Sequence, residues 1–186
     1  MSQATHDDVV DKYPATLRIL HWLRALLILG LIGAGWTMTS LDDETAAKFE
    51  QLYPLHKSFG VLVFLVVLIQ LGIRATSRLP GPAELPAQER VLSHVVHVAI
   101  YALLLIVPLM GYAMSSSFTQ SDGVTFFGIH LPELLPKNDD WFRVFQFLHK
   151  TLAYTLLALV GLHVLGALKH RFFDRNPKAD VLPRML

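Results

Sequence analysis

No cysteine occurs in the 186 residues. Disulfides, thiolate-held iron–sulfur clusters and covalent c-type haem attachment are therefore excluded, because each needs a cysteine sulfur. Charge is scarce as well: Asp, Glu, Lys and Arg make up 17% of the chain, with a formal net charge of +1. That balance offers no electrostatic footprint for nucleic acid. Residues 1–18 are polar and mixed in charge, without the apolar core of a signal peptide, so the first apolar run is expected to be a retained span.

The charge that exists is confined to certain stretches. Arg24 to Asp42, Lys57 to Arg74, Arg90 to Asp122 and Lys150 to Lys169 each bracket a run free of acidic and basic side chains. With Lys and Arg snorkelling at its ends, each run is long enough to cross about 30 Å of hydrocarbon. The fold class expected is all-α, a transmembrane four-helix bundle forming a single membrane domain over 1–186. The helices are predicted at about 18–40, 55–76, 91–116 and 146–171. Pro80, Pro82 and Pro86 make 78–90 a stiff non-helical crossing, and Pro108 and Gly111 predict a kink in the third helix. Residues 117–145 form one long loop whose FFGIHLPELLP core is apolar enough to lie on the membrane or cap the bundle.

Basic residues gather at one end. Lys12, Arg18 and Arg24, then Arg74, Arg78 and Arg90, then Lys169, Arg171, Arg175, Lys178 and Arg184 fall on the same side of the four spans. The other side sets Lys48, Lys57, Lys137, Arg143 and Lys150 against Asp42, Asp43, Glu44, Glu50, Asp122, Glu133, Asp139 and Asp140. The positive-inside rule makes the basic side cytoplasmic, with both termini there and loop 117–145 periplasmic. Trp22, Trp36 and Trp141 read as interfacial belt residues.

Histidine is the residue in excess, with nine copies. His6 and His130 fall in the tail and the loop and read as surface residues. The other seven lie in or at the ends of the spans, where a polar nitrogen is costly unless it pairs, relays protons or binds metal. His149 and His163 stand fourteen residues apart on one helix face, about 21 Å along the axis. Two such rings, one membrane-half apart, point to two haems stacked across a bilayer. A bis-histidine haem needs an imidazole on either side of iron. At the far end, His56 and His149 open their helices at similar depth, in the echoing stretches LHKSFG and LHKTLA. At the basic end the supply exceeds two: His21, His94, His97, His163 and His170. There, spacing leaves either His21 or His97 as the partner of His163. Arg24, one turn deeper than His21, reads as a partner for a haem propionate or a snorkelling cation. Gly60 lies one turn after His56, on its face. Gly30, Gly33, Gly35, Gly161 and Gly166 suit either a haem face or close helix packing.

Taken in order, ILHWL, LHKSFG, HVAIY after a preceding His, LHK and GLHVLGALKHRFFD resemble the bacterial cytochrome b561 family over essentially the whole chain. The resemblance implies a four-helix inner-membrane cytochrome holding two haem b groups and exchanging electrons with the quinone pool, ubiquinone as substrate or bound ligand. One branch of the family works as superoxide oxidase. Residue by residue, it implies His21 with His163 on the cytoplasmic haem and His56 with His149 on the periplasmic haem, as iron ligands. His170 falls on a position implicated in quinone binding, and Arg74 is a second candidate, since a quinone carbonyl accepts hydrogen bonds from His or Arg. The implied partners are membrane lipid, quinone and a periplasmic one-electron donor or acceptor, superoxide among them. Lys57 and Lys150, each following an expected ligand, suggest a local cationic entry for an anionic donor. A second reading is a cytochrome b anchor subunit passing electrons from a hydrogenase- or dehydrogenase-type partner to quinone. A haem-free helical bundle with relay histidines is the third.

Overall fold

The computed structural model describes residues 12–186, so His6 lies outside the described residues. Four long helices dominate: α1 Ala15–Ser40, α2 Tyr53–Thr76, α3 Ala87–Ser117 and α4 Asp139–Phe172. A π-helical turn, Lys48–Leu52, leads directly into α2. All four helices are long and apolar enough to cross a membrane. The four-helix, all-α architecture read from the charge-free runs is therefore what the chain adopts.

The helices outrun the apolar windows because capping chemistry lies outside those windows. Pro14 and Pro86 precede α1 and α3, where a missing N–H costs nothing. At α4 the Asn138 side chain accepts from the backbone N–H groups of Asp140 and Trp141. Asp139 and Asp140 then complement the positive end of the helix dipole. This cap starts α4 seven residues before the apolar stretch and shortens the long loop to 118–138.

Each helix packs closely on the next in sequence, and α4 approaches α3 far more closely than α1 or α2. The core is built from Ile28 of α1, Val63 and Val67 of α2, Val96, Ile100, Leu103, Leu104 and Val107 of α3, and Leu156 of α4. Leu156 is the only buried side chain of α4. Phe147, Leu165, Leu26 and Ile69 face outward, more than half exposed. An apolar exterior of this kind suits lipid, since a helix satisfies the backbone N–H and C=O groups of its interior turns within its own segment.

Loop 118–138 caps the end away from the basic residues. Its short hairpin pairs Thr125 with His130 and Phe126 with Ile129. Phe127 and Gly128 make the two-residue turn with φ of 47° and 91°, the positive values a tight hairpin requires. Phe127 tolerates this because Ser58 Oγ accepts its N–H at 3.1 Å while donating to Thr125 O at 2.9 Å. The Phe127 ring also meets Phe59 edge-on. His130 is exposed. At the basic end, segment 173–186 folds back over the helix ends: Lys178 pairs with Glu84, Arg171 with Asp180, and Arg184 Nη1 donates to Gly81 O.

Candidate haem and quinone sites

The wider separation of α4 from α1 and α2 is where the imidazoles meet. At the loop end the ring centres of His56 and His149 lie 6.1 Å apart. At the basic end those of His21 and His163 lie 6.2 Å apart, and His97 is also near His163, at 4.9 Å. His94 is exposed and joins neither group.

The loop-end pair has the more defined surroundings. His149 Nδ1 donates to Val107 O at 2.9 Å, across from α4 to α3. The ring reaches that carbonyl because Gly111, one turn on, has no side chain: a Cβ there would stand 2.9 Å from His149 Cε1. Pro108 lies between them and has no N–H to offer the preceding turn. Fixing Nδ1–H in this way leaves Nε2 with its lone pair, the arrangement usual for a metal-ligating histidine. On the partner, His56 Nδ1 is buried with no hydrogen-bond partner, and a Cβ on Gly35 would lie 3.8 Å from its ring. Gly35 and Gly111, on α1 and α3, thus each lie against one ring.

At the basic end Arg24 is 7% exposed, which decides against snorkelling. One guanidinium nitrogen lies 3.3 Å from His21 Nδ1, its carbon lies 5.1 Å from the Tyr101 ring centre, and Nη1 has no partner. A buried guanidinium N–H without an acceptor is costly, and a carboxylate is its natural complement. Gln70, 3% exposed with Oε1 unpartnered, stands fourteen residues after His56 on the same face of α2. His97 Nδ1 donates to Ser93 O at 2.6 Å.

These residues fit a haem. Metal–imidazole bonds of about 2 Å, with each nitrogen about 1 Å from its ring centre, separate two ligand rings by about 6 Å. Both the His56–His149 and the His21–His163 spacings meet that figure; the His97–His163 spacing falls short of it. A Cβ on Gly30, Gly33, Gly60, Gly161 or Gly166 would meet nothing within 4 Å, so tight helix packing is not what those glycines serve.

The model of the prokaryotic cytochrome b561 family matches residues 12–186. The chain belongs to that family. It is 30% identical over 182 residues to cytochrome b561 homolog 2 of Escherichia coli K12, covering 95% of this chain and 92% of that one. It is 26% identical to the probable superoxide oxidase CybB of Yersinia pestis, covering 94% and 96%. Cytochrome b561 homolog 1 of Escherichia coli K12 is 22% identical over a similar span. The resemblance read in the motifs is therefore correct: this b561 chain is a membrane-spanning cytochrome of electron transport, and b-type haem is its cofactor.

Of the remaining residues singled out in the sequence, Arg74 is half-buried with its guanidinium carbon 5.8 Å from the Tyr13 ring centre, and His170 makes no hydrogen bond to it. His170 Nδ1 instead donates to Asp174 Oδ2 at 2.6 Å. That hydrogen bond, with Lys169 beside it, holds the Asp174 carboxyl below its usual range. Lys57 is drawn inward, donating to Gly123 O at 2.7 Å, whereas Lys150 is exposed. Trp22 and Trp36 spend their N–H groups on Met185 O and Tyr154 Oη, and both rings remain partly exposed. Three features have no counterpart in the residue pattern: the seat Gly111 gives His149, the carboxylates of Glu89 and Asp174 around His170, and the burial of Gln70.

Proposed function

We propose that the protein is a di-haem b cytochrome of the bacterial inner membrane, moving electrons between the quinone pool and a periplasmic one-electron partner, superoxide being the candidate. The observation that carries this reading is the pair of facing imidazole couples, 6.1 and 6.2 Å between ring centres, at opposite ends of α4. His56 and His149 would hold one haem b, His21 and His163 the other, with Arg24 offering its unpartnered nitrogen to a propionate. Haem b, when bound, supplies reversible one-electron chemistry. The side chains set the terms for it. Val107 O fixes the tautomer of His149, and the lipid-facing apolar shell keeps water from the rings. The loop hairpin, pinned by Ser58, covers the far end.

The basic end is assigned to the cytoplasm, with both termini, by the positive-inside rule. Quinone is placed there, at His170 and Arg74, because imidazole and guanidinium N–H groups suit a quinone carbonyl and imidazole also moves the coupled proton near neutral pH. The family relationship to a probable superoxide oxidase supports superoxide as the donor at the other end.

The test is haem stoichiometry by pyridine haemochrome spectra together with quinone-dependent turnover. Wild type should hold two b haems per chain, His149→Ala one and the His149→Ala/His163→Ala double variant none. His170→Ala should keep both haems and lose quinone reduction. A single haem in wild type overturns the di-haem reading, and full quinone reduction by His170→Ala overturns the quinone assignment.

A further inference from the structure

Four ionisable side chains from three elements close on one another at the basic end of α4. Lys169 Nζ lies 2.7 Å from Glu89 Oε1 of α3 and 3.1 Å from Asp174 Oδ1 of the segment after α4. His170 Nδ1 lies 2.6 Å from Asp174 Oδ2 and 3.7 Å from Glu89 Oε2. The His170 side chain is 10% exposed, that of Asp174 19% and that of Glu89 34%. Glu89, His170 and Asp174 have the ligand types and spacing of a metal site. The Lys169 ammonium already lies within hydrogen-bond reach of both carboxylates, so a cation would meet a like charge there. The charged groups facing the imidazole are Glu89 from α3, Lys169 from its own helix and Asp174 from the chain that follows. Arg171 is turned away to Asp180.

Lys169 is the open side of the group, its side chain 44% exposed, whereas the His170 imidazole and the Asp174 carboxylate are the enclosed pair. Asp174 holds Nδ1–H, so the proton that comes and goes does so at Nε2.

We propose that Asp174, backed by Glu89 and Lys169, is the positioning residue that makes His170 the proton donor to a quinone. The inference rests on the quinone reading above and adds the atom, the tautomer and the carboxylates that set them. His170 Nε2 would supply the proton for each hydrogen added to the quinone, its N–H bond breaking as the O–H bond forms on the quinone oxygen, and b-type haem, when bound, would supply the matching electron. The ring keeps its Nδ1 proton on Asp174, and Nε2 takes its next proton from cytoplasmic water. Asp174 stays ionised throughout, because the hydrogen bonds from His170 and Lys169 hold its carboxyl below the usual carboxylate range.

The test uses the haem-loaded full chain, with a soluble ubiquinone analogue as acceptor. Asp174→Ala should move the alkaline limb of the quinone-reduction pH profile at least one pH unit toward acid, roughly a tenfold rate loss at pH 8. KM for quinone should change little, reduction of the haems by dithionite should be unaffected, and Asp174→Glu should restore most of the profile. Independently, in wild-type protein carrying ¹⁵N-histidine at alkaline pH, the resonance lost in His170→Gln should report the Nδ1–H tautomer. An unshifted profile in Asp174→Ala, or an Nε2–H resonance for His170 in wild type, overturns the proposal even if His170→Ala abolishes turnover. If His170→Ala is itself silent, the quinone reading has failed instead. Should Asp174→Ala not fold, the wild-type resonance decides alone.

Discussion

Gly111 of α3 lies under the imidazole of His149 of α4, so close that a Cβ would stand 2.9 Å from Cε1 and 3.0 Å from Nδ1. The contact is backbone against ring, so the space exists only for glycine. Gly111→Ala should push the ring off Val107 O and cost about 1–3 kcal/mol of stability, the usual scale of an overpacked site. Haem content should fall by up to half, with the remaining haem bound at the His163 end. Gly72→Ala on α2, where a Cβ meets nothing, is the matched control and should keep full content. Equal haem content in both variants would show that His149 does not need this seat.

His21 and His97 both stand near His163, and their haem content as alanine variants separates them. His21→Ala should lose one haem and His97→Ala should retain both, in line with the 6.2 and 4.9 Å ring spacings. The reverse result would make His97, with its Nδ1 held by Ser93 O, the ligand instead.

Lys57 and Lys150 have different surroundings, so their effects should divide. Lys57→Met should loosen the loop hairpin by about 1–3 kcal/mol, the scale of a charge-assisted hydrogen bond, seen as faster amide exchange over residues 121–127. Lys150→Gln should leave the loop intact, slow superoxide-driven haem reduction a few-fold and flatten its salt dependence. An unchanged rate and salt dependence in Lys150→Gln would remove local steering from the mechanism.

Segment 173–186 should stay docked only over a bounded pH range. The Lys178 and Asn176 side chains hold the Glu84 carboxyl below its usual range, and His170 and Lys169 do the same for Asp174. A depressed carboxylate stabilises fully above its unfolded pKa, about 4, and that contribution is lost as pH falls through the lower folded value. Lys178, raised by Glu84, contributes below about 10.4 and loses its contribution as pH rises through its folded value. Hydrogen exchange over 174–184 should therefore be slow between these limits and faster beyond either. Exchange insensitive to acid would show that the apolar contacts, not the ion pairs, hold the segment.

The cysteine-free chain permits a clean test of orientation. Single cysteines at Asp43, Leu134 and Phe173 occupy exposed positions. In spheroplasts an impermeant maleimide should label the first two and miss the third. The opposite pattern would reverse the assignment of the two ends and of the quinone site with them.

Much of this could be read from residue order alone. Charge-free runs of membrane length determine four helices, because an unpaired backbone group in lipid is too costly for any open alternative. The fourteen-residue interval from His149 to His163 determines that two imidazoles share one face of α4, since helical periodicity is a local property. The motifs around them were enough to identify the family. Tertiary structure decided what depends on neighbours distant in sequence. That His149 rests on Gly111 and donates to Val107 O follows from how α3 packs on α4, which no periodicity encodes. That His170 meets Glu89, eighty-one residues earlier, and that Lys57 is spent on Gly123 O follow from where the crossing and the loop return. Side-chain hydrogen bonds are satisfied by whatever the fold brings within about 3 Å. The sequence therefore determined which residues could bind a haem or move a proton, and the packing decided which atoms were left free to do so.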